Sequence, residues 1–341
     1  MKTMATSFIF TGLIISTTLV SSCNTWQMAW VCLELNTFAI LPLISKTNHP
    51  RATEASTKYF LTQAIASSIL LFSATINAWQ TGSWNITQTH NNYASAMALF
   101  AITMKAGTVP THFWLPEVMQ GSSITTALII STWQKIAPAL LMFSMYNHTP
   151  STLTLALGLL SVTFGGWGGM NQTQLRKMMA YSSISNMGWT VLILSSNPKM
   201  SMINLFIYII LTIPVFLLMK LMLTKTLKDM TSTWTTSPTG TMMLALLLLS
   251  LAGLPPLTGL IPKLMILSEL MNQNLATVAT LASMASLLNL VFYLRTAYLT
   301  AILNSPGPTT QTSKWRQKIN SNAMILSPTA LASTPTLPTL T

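Results

Sequence analysis

Apolar runs of about 18 or more residues recur along this chain with short polar gaps between them, each long enough to cross about 30 Å of hydrocarbon as a helix. Lipid offers no hydrogen-bond partner, so the backbone of every crossing must satisfy itself. The expected fold is therefore an all-α polytopic membrane protein without a soluble module. Composition agrees: 50% of the 341 residues are hydrophobic and 6% are charged, against about 25% charged in a soluble domain. The first run, from Met4 to Val20, lacks an Arg-rich amphipathic presequence or a small-residue cleavage site and reads as the first span.

Pro, Gly and polar clusters place helices near residues 4–22, 26–44, 59–79, 93–116, 123–146, 151–169, 177–196, 200–224, 240–271, 275–303 and 321–340, about eleven spans in all. The organisation predicted from them is a first five-helix bundle over 1–146, a second over 147–303, and a basic loop with a C-terminal helix or tail over 304–341. Charge tests the count, because basic loops of a multi-span protein collect on one side. With that count, Lys2, Lys46, Arg51, Lys58, Arg176, Lys177, Lys225, Lys228, Lys314, Arg316 and Lys318 share the side of the N-terminus, and Lys199 falls opposite. The excess of 17 Lys and Arg over 5 Asp and Glu thus marks topology and not nucleic-acid binding. Cys23 and Cys32 have a spacing that fits no metal or dithiol motif and read as small apolar residues. The Asn-x-Thr triplets at Asn85, Asn147 and Asn171 are expected by chance in a Thr-rich chain.

Two segments share a pattern. Ala106-Gly107-Thr108-Val109-Pro110 and Ala252-Gly253-Leu254-Pro255-Pro256 both contain Ala-Gly-x-x-Pro, each followed by a second proline, Pro116 or Pro262, and then by an ionisable residue, Glu117 or Lys263. Gly/Pro-broken spans at matching places in two halves point to a transporter built from inverted repeats. Chance resemblance between Gly- and Pro-rich segments is the alternative. The span over 240–271 supplies a separate argument: about 32 residues would make a rod of about 48 Å, too long for a bilayer, and its prolines would break it. Broken helices at membrane depth survive inside protein or beside a water-filled cavity.

Glu34, Lys105, Lys135 and Lys263 all fall at membrane depth, where a charge costs about 2.5 to 3.5 kcal/mol on insertion scales. Four such groups imply an internal polar pathway, the competing reading being inert structural ion pairs. Lysine suits proton transfer because burial loosens its hold on the proton and a nearby carboxylate restores it, by about 4 kcal/mol at 4 Å and an effective dielectric near 20. His112, after the first break, is a weaker relay candidate, and a hydrogen-bonded loop histidine is the alternative. Lys220 is expected to snorkel, and Arg295 to serve as a fixed counter-charge or lipid-facing anchor. His49, His90 and His148 fall in predicted loops and receive no role, and Ser182, Ser183 and Ser185 are expected to hydrogen-bond between helices.

The motifs Leu33-Glu34-Leu35-Asn36, Pro50-Arg51-Ala52-Thr53-Glu54-Ala55, Lys58-Tyr59-Phe60-Leu61-Thr62-Gln63, His112-Phe113-Trp114-Leu115-Pro116-Glu117-Val118, Thr132-Trp133-Gln134-Lys135-Ile136-Ala137-Pro138 and Arg176-Lys177-Met178-Met179-Ala180-Tyr181-Ser182-Ser183-Ile184 resemble the antiporter-like membrane subunits of animal mitochondrial complex I. The resemblance covers residues 30–270 and gives nothing for the tail after Ser305. It implies two inverted five-helix bundles, each with a broken helix, and a polar axis carrying a buried Glu and lysines. By matching motif, Glu34 takes the glutamate role, Lys105 its lysine partner, Lys135 the connecting lysine and Lys263 the terminal one. Animal members of the family resemble a bacterial form shortened by three N-terminal helices, in keeping with about eleven spans here. Leu260-Ile261-Pro262-Lys263-Leu264 departs from the family, which has aromatic residues around Pro-Lys.

What the resemblance implies is a proton-translocating subunit of an NADH:ubiquinone reductase in the mitochondrial inner membrane, with its N-terminus in the matrix. Such a chain binds no cofactor and has no redox centre; NADH, FMN, Fe–S clusters and ubiquinone are used by the complex. Its partners would be other membrane-arm subunits and phospholipid. A free-standing cation/proton antiporter of related fold and a structural membrane spacer are the competing functions.

Overall fold

The computed structural model describes residues 2–46, 49–89, 91–235, 237–255, 257–302, 327, 328 and 331. Among the described residues, fourteen α-helices follow one another: α1 (Lys2–Ser22), α2 (Trp26–Ser45), α3 (Pro50–Thr81), α4 (Asn92–Ala106), α5 (Trp114–Gly121), α6 (Ile124–Ser131), α7 (Trp133–Ser144), α8 (Ser151–Met170), α9 (Leu175–Leu192), α10 (Pro198–Leu221), α11 (Leu227–Thr231), α12 (Pro238–Ala252), α13 (Leu260–Asn272) and α14 (Ala276–Ala301). The all-helical expectation holds. Among the described residues, six stretches are long and apolar enough to cross a membrane, namely α2, α3, the pair α6–α7, α8, α10 and α14. The predicted span over 321–340 and the predicted basic loop lie outside the described residues, apart from 327, 328 and 331, and so does His90.

α14 shows why this chain belongs in lipid. Leu281, Met284, Leu287, Val291, Leu294 and Tyr298 recur at helical spacing and are exposed, while Ala282, Ala285, Asn289, Thr296 and Thr300 are buried. A helix in water would put its large apolar side chains inward. Here Asn289, Thr296 and Thr300 turn inward beside Phe292 and Tyr293 while the apolar row faces outward, as hydrocarbon surroundings favour.

α3 begins nine residues before the predicted start at 59. Pro50 occupies its first turn, where a missing N–H costs nothing, and His49 accepts a hydrogen bond from the Arg51 amide at 3.2 Å. The polar run from Arg51 to Lys58 concealed this helix start. Arg51 and Lys58 therefore lie in the first turns of α3, and Lys58 pairs with Glu117 of α5 at 2.6 Å.

Two compact units are present, Met1–Ser161 with Val191–Pro198, and Val162–Thr190 with Lys199–Thr341. In the first, Tyr59 of α3 meets Trp114 of α5 edge-on, with ring centroids 5.6 Å apart. In the second, small residues let backbones approach, as in membrane bundles. A Cβ on Gly165 would stand 2.8 Å from Ser185 Cβ on α9, and one on Gly166 would stand 2.7 Å from Leu288 Cβ on α14.

Both Ala-Gly-x-x-Pro segments break their helices, and they do so in the same way. α4 ends at Gly107 (φ 79°) and α12 at Gly253 (φ 89°), the left-handed conformation that glycine adopts without a Cβ penalty. The amide that follows each glycine reaches back to the last turn, Thr108 to the Thr103 carbonyl at 3.1 Å and Leu254 to the Leu249 carbonyl at 3.3 Å. The glycines end the helices before the prolines are reached. Pro110 and Pro255 then prevent the helix from resuming at once.

Candidate functional site

α2 carries Glu34 and α4 carries Lys105 in its last turn, immediately before the first break. Lys105 Nζ lies 3.4 Å from Glu34 Oε1. The Lys105 side chain is 2% exposed and that of Glu34 17%, so the pair is withdrawn from the surface. Thr37, one turn along α2, donates to the Glu34 backbone carbonyl at 2.8 Å and approaches Oε2 at 3.4 Å. A carboxylate and an ammonium at this separation stabilise each other's charge strongly, because the surrounding medium screens poorly.

Lys135 is buried in the first turn of α7. The span predicted as continuous over 123–146 is interrupted at Thr132 (φ −114°, ψ −73°), three residues before that lysine. Within α7, Pro138 brings no N–H to the Gln134 carbonyl. A cavity of about 10 Å³ has both Lys105 and Lys135 on its wall, space for about one water molecule.

Sequence reading missed the groups between them. Asn36 Nδ2 donates to Gln134 Oε1 at 2.8 Å, and Gln134 Nε2 returns a bond to Asn36 Oδ1 at 3.3 Å. This reciprocal amide pair ties the Glu34 helix to the Lys135 helix, and it lines the same cavity with Tyr59 and Gln63. A signal was present: both amides sit in apolar spans, Asn36 two residues after Glu34 and Gln134 directly before Lys135. Amides at membrane depth are costly unless paired.

His112 is buried in the segment between α4 and α5, stacked on Phe113 at 4.3 Å between ring centroids. It is not among the residues that line the cavity. In the other unit, Lys263 lies in the first turn of α13 and turns back on α12, donating to the Ala252 carbonyl at 2.8 Å and to the Leu251 carbonyl at 3.4 Å. Those carbonyls are left open by the break, and a cation there suits the negative end of α12.

Other expectations resolve as follows. Arg295 donates to the Gln172 carbonyl at 2.8 Å, so it ties α14 to the chain just past α8. The geometry of α8 and α14 decides this: the guanidinium is within reach of a carbonyl that α8 leaves behind. Lys220 is exposed near the end of α10, as snorkelling requires. Ser182, Ser183 and Ser185 each donate to a carbonyl three residues back in α9, at 2.7, 2.7 and 2.8 Å. The Tyr208 and Tyr293 hydroxyls lie near Ser183 and Ser182, but the bonds these serines donate run along α9 and not between helices as expected.

A buried ion pair beside a broken helix, joined to a second buried lysine, on an all-helical membrane scaffold defines an antiporter-like membrane subunit. The family model described as NADH:quinone oxidoreductase/Mrp antiporter matches residues 23–289. NADH-ubiquinone oxidoreductase chain 2 of Carassius auratus is 45% identical over 331 residues, 97% of this chain and 95% of that protein. The chain 2 of Varanus timorensis is 47% identical over 330 residues, 97% and 96% of the two chains. The chain thus belongs to this family of membrane subunits, and within it to the chain 2 group of NADH-ubiquinone oxidoreductase. A chain of respiratory complex I from Thermus thermophilus, solved with bound aureothin, shares the fold with a TM-score of 0.85 at 24% identity, over 98% of this chain and 80% of that one.

Proposed function

We propose that the chain moves protons as a membrane-arm subunit of respiratory complex I, where electron transfer from NADH to ubiquinone drives pumping through buried Glu and Lys groups. The observation that carries this reading is the Lys105–Glu34 contact at 3.4 Å with Lys135 on the wall of the adjoining cavity. Glu34 holds the proton on Lys105 while the carboxylate is near. When α2 and α4 shift, that hold weakens and the proton passes toward Lys135 through the water-sized space. Lys263 is the terminal group of the relay, and His112 is a minor member. The relay is divided between the predicted bundles over 1–146 and 147–303.

The chain itself carries no redox centre. NADH, FMN, Fe–S clusters and ubiquinone are handled by other parts of the complex, and the partners of this chain are neighbouring membrane-arm subunits and phospholipid. It lies in the mitochondrial inner membrane as a multi-pass protein of about eleven spans with its N-terminus in the matrix, the side on which basic loops collect.

The test is Glu34→Gln in the assembled complex, reconstituted in vesicles. Pumping per NADH oxidised is expected to fall with assembly intact, since volume is kept and the charge beside Lys105 is lost. Pumping stoichiometry equal to that of the native complex would overturn the switch.

A further inference from the structure

Cys23 and Cys32 stand with their sulfur atoms 3.7 Å apart. Cys23 is the residue after α1, partly exposed, and its thiol donates to the Leu19 carbonyl at 2.9 Å. Cys32 is buried in the second turn of α2. The turn between the two helices is pinned from outside: the Trp26 amide donates to the Trp84 carbonyl at 2.9 Å, and the Ile86 amide to the Asn24 carbonyl at 3.0 Å. This holds the backbone beside Cys23 in register with α2. Neither thiol takes part in the relay.

We propose that Cys23 and Cys32 form a thiol–disulfide site, closed by exchange with a small-molecule disulfide. Exposure sets the order of events, because an incoming reagent reaches Cys23 first. The Cys23 thiolate attacks one sulfur of the reagent, a mixed disulfide forms, and one small thiol leaves with the proton that Cys23 gave up. Cys32 then loses its proton and attacks the Cys23 sulfur, the protein disulfide forms, and the second small thiol departs with that proton. Two cysteine sulfurs are oxidised, and the reagent is reduced to two thiols. A disulfide bond is about 2.05 Å long, so the sulfurs must close by about 1.7 Å. Cys23 lies outside the helix, where rotation of its side chain is free of the preceding-turn restriction. The bond would tie the end of α1 to α2 two residues before Glu34.

The test uses the assembled complex in its membrane, treated with dithiodipyridine, digested without reductant and mapped by mass spectrometry. The expected product is a Cys23–Cys32 cross-link lacking both thiol hydrogens and reversed by dithiothreitol. In Cys32→Ala, or in Cys32→Ser if the alanine variant fails to assemble, a stable pyridylthio adduct on Cys23 is expected in its place. In the native complex, a lasting adduct on Cys23 beside a free Cys32 thiol would overturn the proposal. Recovery of both cysteines unmodified would overturn it too.

Discussion

Lys263 reaches back across the second helix break to donate to the carbonyl oxygen of Ala252 at 2.8 Å. At the first break the Met104 carbonyl, which already accepts from the Gly107 amide at 3.2 Å, also accepts from the Trp114 indole at 3.3 Å, and Lys105 faces Glu34 instead. Two breaks of the same backbone geometry thus use different donors to close the helix end. Lys263 has a structural duty that Lys105 does not share.

Lys263→Met is therefore expected to cost both stability and function. An open buried carbonyl costs about 1–3 kcal/mol, so the variant complex should unfold at lower temperature and pump less. Native thermal stability would show that the Ala252 carbonyl finds another donor.

Lys135→Met should separate the two effects. An apolar side chain of similar volume is tolerated at a buried charged position, commonly without loss of stability. The complex should assemble with its NADH-to-ferricyanide activity unchanged while quinone-linked pumping falls sharply, because Met holds no proton. Lys135→Arg should fail in the same way, since arginine does not release its proton. Native pumping in both variants would make Lys135 a structural residue.

The Asn36–Gln134 amide pair yields a double-mutant cycle. Replacing Asn36 alone by Leu leaves the Gln134 amide unpaired at a cost of about 1–3 kcal/mol, and replacing both by Leu should recover most of that. Pumping should not recover with stability, because the wall between Lys105 and Lys135 has lost its polar groups. Recovery of both together would reduce the pair to a structural tie.

Asp229 gives a prediction outside the spans. Burial pushes its carboxyl upward, but hydrogen bonds from the Thr226 and Lys225 amides, at 2.8 and 2.9 Å, and from the Thr226 hydroxyl outweigh it and hold the carboxyl below the ordinary aspartate value. A lowered folded value means the stabilisation is present above the ordinary value and is lost as pH falls through the folded one. Protection of the Lys225 and Thr226 amides, read by hydrogen exchange and corrected for intrinsic rates, should drop over that acidic window. Asp229→Asn should remove the pH dependence.

Much of this protein was legible in its sequence because lipid imposes a one-dimensional rule. Each crossing must be a long apolar helix that satisfies its own backbone, so helix positions, the sites of both breaks and the cost of Glu34, Lys105, Lys135 and Lys263 could be read residue by residue. The start of α3 was not legible, because Arg51, Glu54 and Lys58 look like a loop until Pro50 and His49 are seen to start the helix. Contacts between helices were decided by tertiary structure alone. Glu34 and Lys105 are 71 residues apart and Asn36 and Gln134 are 98 apart, and hydropathy carries no information about which face of one helix meets which face of another. The same holds for Cys23 and Cys32, whose spacing fits no motif and whose sulfurs meet because a turn pinned by distant backbone bonds returns α2 beside the end of α1. Sequence set the cost of burying Lys105, Asn36 and Gln134, and packing supplied the partners that offset it.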